Sequence, residues 1–354
     1  LPLETMENPH VDFAVIGEGE ITFSELVKSI KEEKNDFEKI NGLYYKRNGE
    51  ILNSPPREFI SDLDSIPFPA RDLLDLKLYY SAPTKKLTSE DSTSILTSRG
   101  CAFDCIHCVS KSIWHKKIRY RSAENVVAEI EECINKFNIK EFSILDDNFT
   151  LNKERAIKIC QQIIDKKLPI AWICFSRSDT INEELLALME KAGCKKISLG
   201  IESGSQKILD LMRKQNTVEN AKDAVKLIRK YNIKVHASFM FGNIGETTET
   251  IELAKNITID NATFFITCPV PGSDLYYYAK QNGFIKDNTP WEAFAPLTNV
   301  APIVVQNNLT QKELIYWQKR AFREFYLRPK YILYKIKQLN SIDTFKTLME
   351  GFRV

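Results

Sequence analysis

The chain has 354 residues, of which 43% are hydrophobic and 27% are charged, a composition typical of a globular protein with one large core or two smaller ones. The 49 basic and 47 acidic residues leave a formal charge of +2, which gives no electrostatic argument for nucleic acid or a membrane surface. No apolar run reaches the roughly 18 residues of a membrane span, and no signal peptide is recognisable. We therefore expect a cytoplasmic protein that binds no nucleic acid. Because the chain begins at Leu1 without an initiator Met, we expect a fragment or a processed form.

The first ninety residues contain one strand–helix pattern and one hairpin pattern. Residues 11–16 predict a buried strand and residues 23–30 a helix, with a turn between them. Residues 40–60 predict a β-hairpin, in which Asn48 and Gly49 form a type I′ turn. Pro67 and Pro69 indicate an extended linker over 62–71.

From Ser92 onward, strand and helix patterns alternate along the chain. The predicted strands are 93–98, 141–145, 170–175, 196–200, 234–241 and 262–268. The predicted helices are 122–136, 152–165, 182–192, 205–213, 218–230 and 247–257, with N-caps at Ser122, Asn152 and Thr217 and a C-terminal glycine at Gly193. Six such repeats predict an α/β fold with a parallel sheet and right-handed crossovers. Because eight units close a barrel, we expect a partial (β/α)6 TIM-like barrel, followed by a helical tail.

Three of the eight cysteines lie close together after the first predicted strand. Cys101, Cys105 and Cys108 are separated by three and then two residues. Three thiolates at this spacing can hold three irons of a [4Fe–4S] cubane and leave the fourth iron without a protein ligand. An open iron is what a small chelating ligand requires. The other five cysteines lie in apolar patterns and are interpreted as small core residues.

Two other metal sites are alternatives to the open cluster. A structural zinc site needs four ligands, and His107 or His115 would be the fourth here. However, zinc fingers and ribbons bring two ligand pairs together, and the sequence has no second pair. A closed electron-transfer cluster would need a fourth cysteine, for which the candidates are Cys133, Cys174, Cys194 and Cys268.

The cysteine spacing resembles the signature of the radical S-adenosylmethionine (SAM) superfamily. Further stretches resemble its branch with an N-terminal cobalamin-binding domain, which includes methyltransferases and the anaerobic magnesium-protoporphyrin monomethyl ester cyclase. They span nearly the whole chain and lie at 15–20, 66–71, 98–101, 145–150, 200–206, 241–247, 271–276 and 325–329. The sequence departs from the usual pattern at Ala102, where relatives often have Pro, and at His107, where an aromatic residue usually flanks the adenine.

The resemblance implies that SAM chelates the open iron through its amino and carboxylate groups. One electron from the cluster then breaks a sulfur–carbon bond and yields methionine and a 5′-deoxyadenosyl radical. It also implies that His107 packs against the adenine. An electron donor, either a reductase or a flavodoxin or ferredoxin, is implied as a partner. The substrate and the catalytic proton donors are not readable from the sequence.

Polar groups at the strand ends are the remaining candidates for contact with SAM. Asp146 and Asp147 are candidates for the amino group, with helix capping as the alternative. Arg177 is a candidate for the carboxylate, although a surface ion pair with Asp179 is almost as good an interpretation. Glu202 is a candidate for the ribose hydroxyls or the amino group, with a solvated loop acid as the alternative. Gly242 and Gly245 are candidates for backbone approach to the adenine, with a tight turn as the alternative.

The resemblance also sets the expected domain organisation. Residues 1–30 look like the last strand–helix unit of a cobalamin-binding domain, 31–90 form the hairpin and linker, 91–290 the partial barrel and 291–354 the helical tail. The Asp-x-His-x-x-Gly stretch that supplies the lower ligand in many cobalamin-binding domains is absent, and His10 stands alone. Some relatives bind cobalamin without a histidine ligand. We therefore expect the intact protein to use cobalamin and this chain alone not to hold it firmly. A cobalamin-independent radical enzyme is the alternative.

An aromatic set near the C-terminus has two interpretations, a hydrophobic substrate pocket or core, and its helical spacing favours core. Its members are Trp291, Phe294, Tyr316, Trp317, Phe322, Phe325 and Tyr326.

Overall fold

The computed structural model describes residues 2–79, 87, 91–244, 249–287, 289–295, 302–306 and 309–337. The chain forms two compact units, Leu1–Pro67 and Phe68–Val354. Within the described residues, no helix combines the length and the apolar character needed to cross a bilayer.

The first unit is a three-stranded antiparallel sheet with one long helix. Its elements are α1 (Pro2–Glu7), β1 (Phe13–Val15), α2 (Gly19–Lys31), β2 (Leu43–Arg47) and β3 (Glu50–Asn53), with 3-10 turns at Phe37–Lys39 and Leu63–Ser65. The strands pair in the order β1-β2-β3. The predicted hairpin is confirmed, since Asn48 and Gly49 have the positive φ angles, 53° and 84°, that a type I′ turn requires. Leu26, Ile40, Leu43 and Tyr45 form its core.

A six-stranded parallel sheet forms the second unit and confirms the predicted α/β class. Its strands are β4 (Ser92–Ile95), β7 (Glu141–Ile144), β8 (Ala171–Ser176), β9 (Cys194–Glu202), β10 (Lys234–Phe241) and β11 (Asn261–Ile266). They are hydrogen-bonded in chain order from β4 to β11, and each neighbouring pair is parallel. Short β5 (Ser98–Arg99) pairs with β6 (Arg119–Tyr120) in a separate ribbon. The carboxyl ends of the six strands therefore share one edge, at which ligands bind in folds of this kind.

Helices follow the strands at the predicted places. They are α3 (Ser110–Trp114), α4 (Ala123–Phe137), α5 (Lys153–Asp165), α6 (Glu183–Lys191), α7 (Gln206–Leu211), α8 (Val218–Ile228), α9 (Glu249–Asn256) and α10 (Asp274–Gln281), with 3-10 turns at Arg71–Leu73, Leu76–Leu78, Ser178–Thr180 and Trp291–Phe294. The predicted N-caps are confirmed, because the side chains of Ser122, Asn152 and Thr217 accept hydrogen bonds from the first turns of α4, α5 and α8. Residues 247 and 248 of the last predicted helix lie outside the described residues.

The C-terminal helices pack on the last strand of the sheet. They are α11 (Gln311–Tyr326) and α12 (Pro329–Lys337); residues 338–354 of the predicted tail lie outside the described residues. Phe264 of β11 contacts Phe322 and Phe325, with ring centroids 5.2 and 6.0 Å away. The core interpretation of these two aromatic residues is confirmed, whereas Trp291 and Tyr316 are 58% and 59% exposed.

Arg71, the last residue of the 66–71 stretch, forms a buried ion pair. Arg71 is only 5% exposed, and its guanidinium lies 2.7 Å from Glu129 of α4 and donates to the Ser94 carbonyl of β4 at 3.0 Å. This contact stabilises the first strand of the parallel sheet.

The compact units do not follow the expected domain boundaries. Because β1 pairs with β2, the hairpin belongs to the same small sheet as the first strand–helix unit, and the division falls after Pro67. That residues 1–30 derive from a cobalamin-binding domain stays a prediction.

Candidate functional site

The cysteine loop, residues 101–108, runs from β5 to α3 at the carboxyl edge of the parallel sheet. Cys101 and Cys105 are partly exposed and Cys108 is exposed, whereas the other five cysteines are buried. This confirms the core interpretation of those five. The loop thiols are electrostatic neighbours, because Cys105 raises the pKa of both Cys101 and Cys108.

Backbone hydrogen bonds fix the middle of the cysteine loop. The Ile106 amide donates to the Met212 carbonyl at 3.0 Å, and the Leu275 amide donates to the Ile106 carbonyl at 2.8 Å. Leu275 lies in the first turn of α10, where amides have no partner within the helix. The Ile106 side chain packs against Leu275 and its apolar neighbours. The loop is thus attached to two distant parts of the chain.

Gly100 permits the turn into the loop. Its φ is +101°, and a Cβ atom at this position would lie 2.0 Å from the Lys117 carbonyl oxygen. Any side chain would therefore collide with backbone, so the glycine is required for the loop to lie against residue 117.

The surroundings of the thiols suit metal binding. Burial raises the pKa of each of the three thiols above its ordinary value, so a bound cation is needed to hold them as thiolates. The Ser110 amide donates to Cys108 Sγ at 3.4 Å, as amides commonly do to cluster sulfurs. Within the described residues, no three His, Cys, Asp or Glu side chains converge on one metal ion; a cubane does not require this, because each thiolate binds a different iron.

Asp146 binds the residues that precede the cysteine loop and has an internal role. Its carboxylate accepts hydrogen bonds from the amides and hydroxyls of Thr97 and Ser98 and from the Arg155 guanidinium. Its side chain has no exposed surface. These contacts connect the ends of β4 and β7 and favour a positioning role; contact between Asp146 and SAM stays a prediction.

Asp147 is exposed and faces the thiols. Its Oδ2 accepts from the Ser110 hydroxyl at 2.9 Å, and its charge raises the pKa of Cys101 and Cys108. Desolvation by the surrounding protein, together with the smaller effect of the Asp146 charge, raises the pKa of the Asp147 carboxyl above its usual value. Of the two predicted aspartates, Asp147 is the one with a carboxylate open to a ligand.

Arg177 lies directly under the cysteine loop. It is 5% exposed, and its guanidinium carbon lies 3.5 Å from the ring centre of Phe103. Two of its nitrogens bind the Asp179 carboxylate at 2.8 and 2.9 Å, so the ion pair with Asp179 is present, although it is largely buried. The same guanidinium donates to the carbonyls of Lys214 and Gln215.

Glu202 ends β9 and forms a buried ion pair with Lys214. The ammonium lies 2.8 Å from Glu202 Oε1, and both side chains are at most 10% exposed. Burial alone would raise the pKa of Glu202, but Lys214, with His107 and Arg177, holds it below its usual value. A Cβ on Gly200 would lie 2.5 Å from Oε1. Glu202 is therefore not a solvated loop acid.

Lys214 is a site residue that the sequence analysis missed. Burial raises the pKa of Cys105, and the Lys214 ammonium offsets part of that rise. The Lys214 backbone carbonyl accepts a hydrogen bond from Arg177. It lies between α7 and α8, in a segment where Arg213 and Gln215 have positive φ. No local pattern marks a lysine there as buried, because the burial depends on Glu202 of a separate strand.

His107 has a buried ring nitrogen, Nδ1, without a hydrogen-bond partner in the described part of the chain. Burial lowers the pKa of the imidazole to about 4, so the ring is neutral at physiological pH. A neutral ring suits packing against an uncharged base such as adenine, and an unmatched buried nitrogen suits a site completed by a ligand.

Gly242 forms the turn after β10, with φ of +88°. A Cβ here would lie 2.9 Å from Leu314 Cδ2 of α11, so the glycine admits a helix side chain as well as the turn. Its approach to adenine stays a prediction, and Gly245 lies outside the described residues.

Comparison with known proteins gives the family of the chain. The Radical SAM superfamily model matches residues 95–257. The chain is 37% identical over 335 residues to an uncharacterized methyltransferase of Pyrococcus horikoshii, covering 94% of this chain and 71% of that protein. The chain belongs to the radical SAM superfamily. It is also 29% identical over 342 residues to the anaerobic magnesium-protoporphyrin IX monomethyl ester cyclase of Rubrivivax gelatinosus, covering 94% of this chain and 60% of the cyclase.

A solved structure shares the fold of this radical SAM chain. It is the radical SAM methyltransferase TsrM of Kitasatospora setae, determined with cobalamin and a [4Fe–4S] cluster bound. The comparison has a TM-score of 0.64 at 21% identity and covers 86% of this chain and 61% of TsrM. The chain therefore spans only about three fifths of the length of the cyclase and of TsrM.

Proposed function

We propose that this chain binds a [4Fe–4S] cluster through Cys101, Cys105 and Cys108 and binds SAM at the open iron. When bound, the cluster would supply the one electron that cleaves SAM to methionine and a 5′-deoxyadenosyl radical. The observation that carries the proposal is the cysteine loop: it holds the three unburied thiols of the chain at the carboxyl edge of the sheet.

The residues around the loop fit this pair of cofactors. Asp147 offers an open carboxylate to a cationic group, and His107 offers a neutral ring with an unpaired nitrogen to the adenine. Arg177 and the Glu202–Lys214 pair provide buried charges of both signs beside Cys105. Because internal ion pairs hold these charges in place, they give a zwitterionic ligand a preorganised polar environment.

The intact protein, in this proposal, is a cobalamin-dependent enzyme of the cytoplasm that transfers a methyl group or performs a cyclisation on an unidentified substrate. Support comes from the methyltransferase and cyclase relatives, which match over 94% of this chain. A flavodoxin, a ferredoxin or a reductase supplies the electron.

Anaerobic reconstitution tests the cluster and the cleavage of SAM. We expect the protein, rebuilt with iron and sulfide and reduced with dithionite, to form 5′-deoxyadenosine from SAM, as measured by mass spectrometry. Cys105→Ser removes one iron ligand and should abolish the product, whereas Cys133→Ala, which changes a buried cysteine of α4, should retain it. A colourless protein that contains zinc, or a cluster that never cleaves SAM, would contradict the proposal.

The fate of SAM distinguishes the two forms of radical enzyme. Transfer of the SAM methyl group to cobalamin leaves S-adenosylhomocysteine, so its formation only when cobalamin is supplied supports methyl transfer. Formation of 5′-deoxyadenosine alone by the intact protein, unaffected by cobalamin, supports the cobalamin-independent alternative.

A further inference from the structure

The two faces of the parallel sheet differ in what covers them. Alternate residues of the strands, such as Ile144 and Cys174, are buried in the core that the sheet shares with its helices. Because successive residues of a strand point to opposite faces of a sheet, the next residues, Leu145 and Phe175, point away from that core. We refer to the face opposite the helices as the inner face.

Three large apolar side chains lie on the inner face near the carboxyl edge. Leu96, directly after β4, is 47% exposed; Leu145, directly after β7, is 44% exposed; and Phe175 of β8 is 41% exposed. The strands β4, β7 and β8 are adjacent in the sheet, so the three side chains are neighbours. We refer to Leu96, Leu145 and Phe175 as the apolar patch.

A row of polar side chains continues from the apolar patch across the next three strands. Phe175 pairs in register with Ser198 of β9, Ser198 with His236 of β10, and His236 with Asn261 of β11. Neighbouring strands lie about 4.8 Å apart, so Phe175 and His236, two strands apart, are separated by about 10 Å across the sheet. The inner face therefore changes from apolar to polar over the length of a small molecule.

His236 lies in the middle of the polar row. Its Nε2 lies 3.3 Å from the Thr263 hydroxyl of β11, a contact that restrains the orientation of the ring, and the residue is half-buried. An imidazole offers hydrogen-bond donors and acceptors according to its protonation. His236 can therefore bind a hydroxyl or carbonyl group of a molecule that lies on the inner face.

The apolar patch adjoins residues that act on the cysteine loop. Phe175 precedes Arg177 by two residues, about 7 Å along an extended strand, and the Arg177 guanidinium carbon lies 3.5 Å from the ring centre of Phe103 in the loop. Leu145 likewise precedes Asp147 by two residues, and the Asp147 charge acts on the loop thiols. A molecule on the patch is thus close to the proposed site of SAM cleavage.

We propose that the inner face binds the substrate, and that the substrate is an elongated aromatic molecule with a hydroxyl or carbonyl group about 10 Å from its apolar end. Phe175 binds the apolar end through ring contacts, and His236, oriented by Thr263, binds the polar group. The inference rests on the proposed function, because the molecule bound here is the one on which the radical acts.

Two probes that differ by one hydroxyl test the two ends of this site. They are 4-phenylphenol and biphenyl, and their dissociation constants are measured by equilibrium dialysis with the anaerobically reconstituted protein, in the presence of SAM and without reductant. We expect 4-phenylphenol to bind about fivefold more tightly than biphenyl, as one additional hydrogen bond provides. Phe175→Ala should weaken the binding of both probes about tenfold, and Phe175→Leu, which keeps an apolar side chain, about threefold.

Substitution of His236 should affect only the probe with the hydroxyl. We expect His236→Ala to weaken 4-phenylphenol about fivefold, to the affinity of biphenyl, and to leave biphenyl unchanged. His236→Gln keeps a donor and an acceptor and should retain most of the preference for 4-phenylphenol. A residue with only a structural role would not distinguish the two probes.

Phe23→Ala and His10→Ala are the matched controls, because Phe23 is 60% exposed on α2 and His10 is exposed in the first unit. Both should leave the two dissociation constants unchanged. The proposal is overturned if the unmodified protein binds neither probe, if Phe175→Ala and Phe175→Leu bind biphenyl as tightly as the unmodified protein does, or if the His236 variants weaken both probes equally. If the unmodified protein binds the probes but forms no 5′-deoxyadenosine when reduced, the proposed function fails instead, so the two failures are distinguishable.

Discussion

At Gly100, a single missing side chain allows the cysteine loop to form. We predict that Gly100→Ala destabilises the second unit by more than about 2 kcal/mol, since a left-handed backbone costs a non-glycine residue about 1–2 kcal/mol and the new Cβ overlaps the Lys117 carbonyl. Iron and sulfide per chain should fall with it. Gly49→Ala is the control, because Gly49 also has positive φ but has open space around it. Cluster content that is unchanged in Gly100→Ala would refute the prediction.

The residues around the loop show the limit of local sequence patterns. The cysteine spacing and the position of polar residues after strands predicted which side chains lie at this edge. The partners of these side chains depend on tertiary contacts. Thr97 and Ser98 donate hydrogen bonds to the Asp146 carboxylate, and Lys214 forms an ion pair with Glu202 of a separate segment. Neither contact has a periodic signal, so the sequence did not distinguish the occupied Asp146 from the open Asp147.

Among the elements, α11 depends on its first turn. Thr310 and Glu313 form a capping box: each side chain accepts from the backbone amide of the other residue. We predict that Thr310→Ala lowers the free energy of unfolding by about 0.5–2 kcal/mol, measured by urea unfolding, and loosens the contact of Leu314 with Gly242. Lys312→Ala, a change at an exposed position in the same turn, is the control and should have almost no effect. Equal stability of the two variants would contradict a role for the cap.

The same capping box makes the free energy of unfolding depend on pH. Hydrogen bonds from the Thr310 hydroxyl and amide hold the pKa of Glu313 below its usual value. A depressed carboxyl pKa stabilises the folded state above the unfolded pKa, and this contribution is lost as the pH falls through the folded pKa. The difference in the free energy of unfolding between the native protein and Thr310→Ala should therefore become smaller at acidic pH.

Local signals also explain why the elements of the second unit were predictable. Each strand is bounded by turns, and each cap acts within four residues, so periodicity and composition suffice. The first unit was harder: the strand at 11–16 and the hairpin were each predicted, but their pairing into one sheet depends on the contact of β1 with β2. The two strands are far apart in the sequence, and no local pattern shows that they pair.

For the whole molecule, the cluster should act as a stabilising ligand. The cysteine loop is bonded to Met212 and Leu275, far apart in sequence, so a cluster that holds the loop also holds those segments. Binding to the folded state alone contributes about 2.7 kcal/mol at a hundredfold excess over Kd, and 1 kcal/mol raises Tm by about 1.5 °C in a protein of this size, because the unfolding entropy is about 2.1 cal/mol/K per residue. We predict that anaerobic reconstitution raises Tm by about 3–5 °C, measured by circular dichroism. Cys105→Ser, treated in the same way, should show no shift; a verified cluster without a rise in Tm would mean that the loop and the sheet unfold independently.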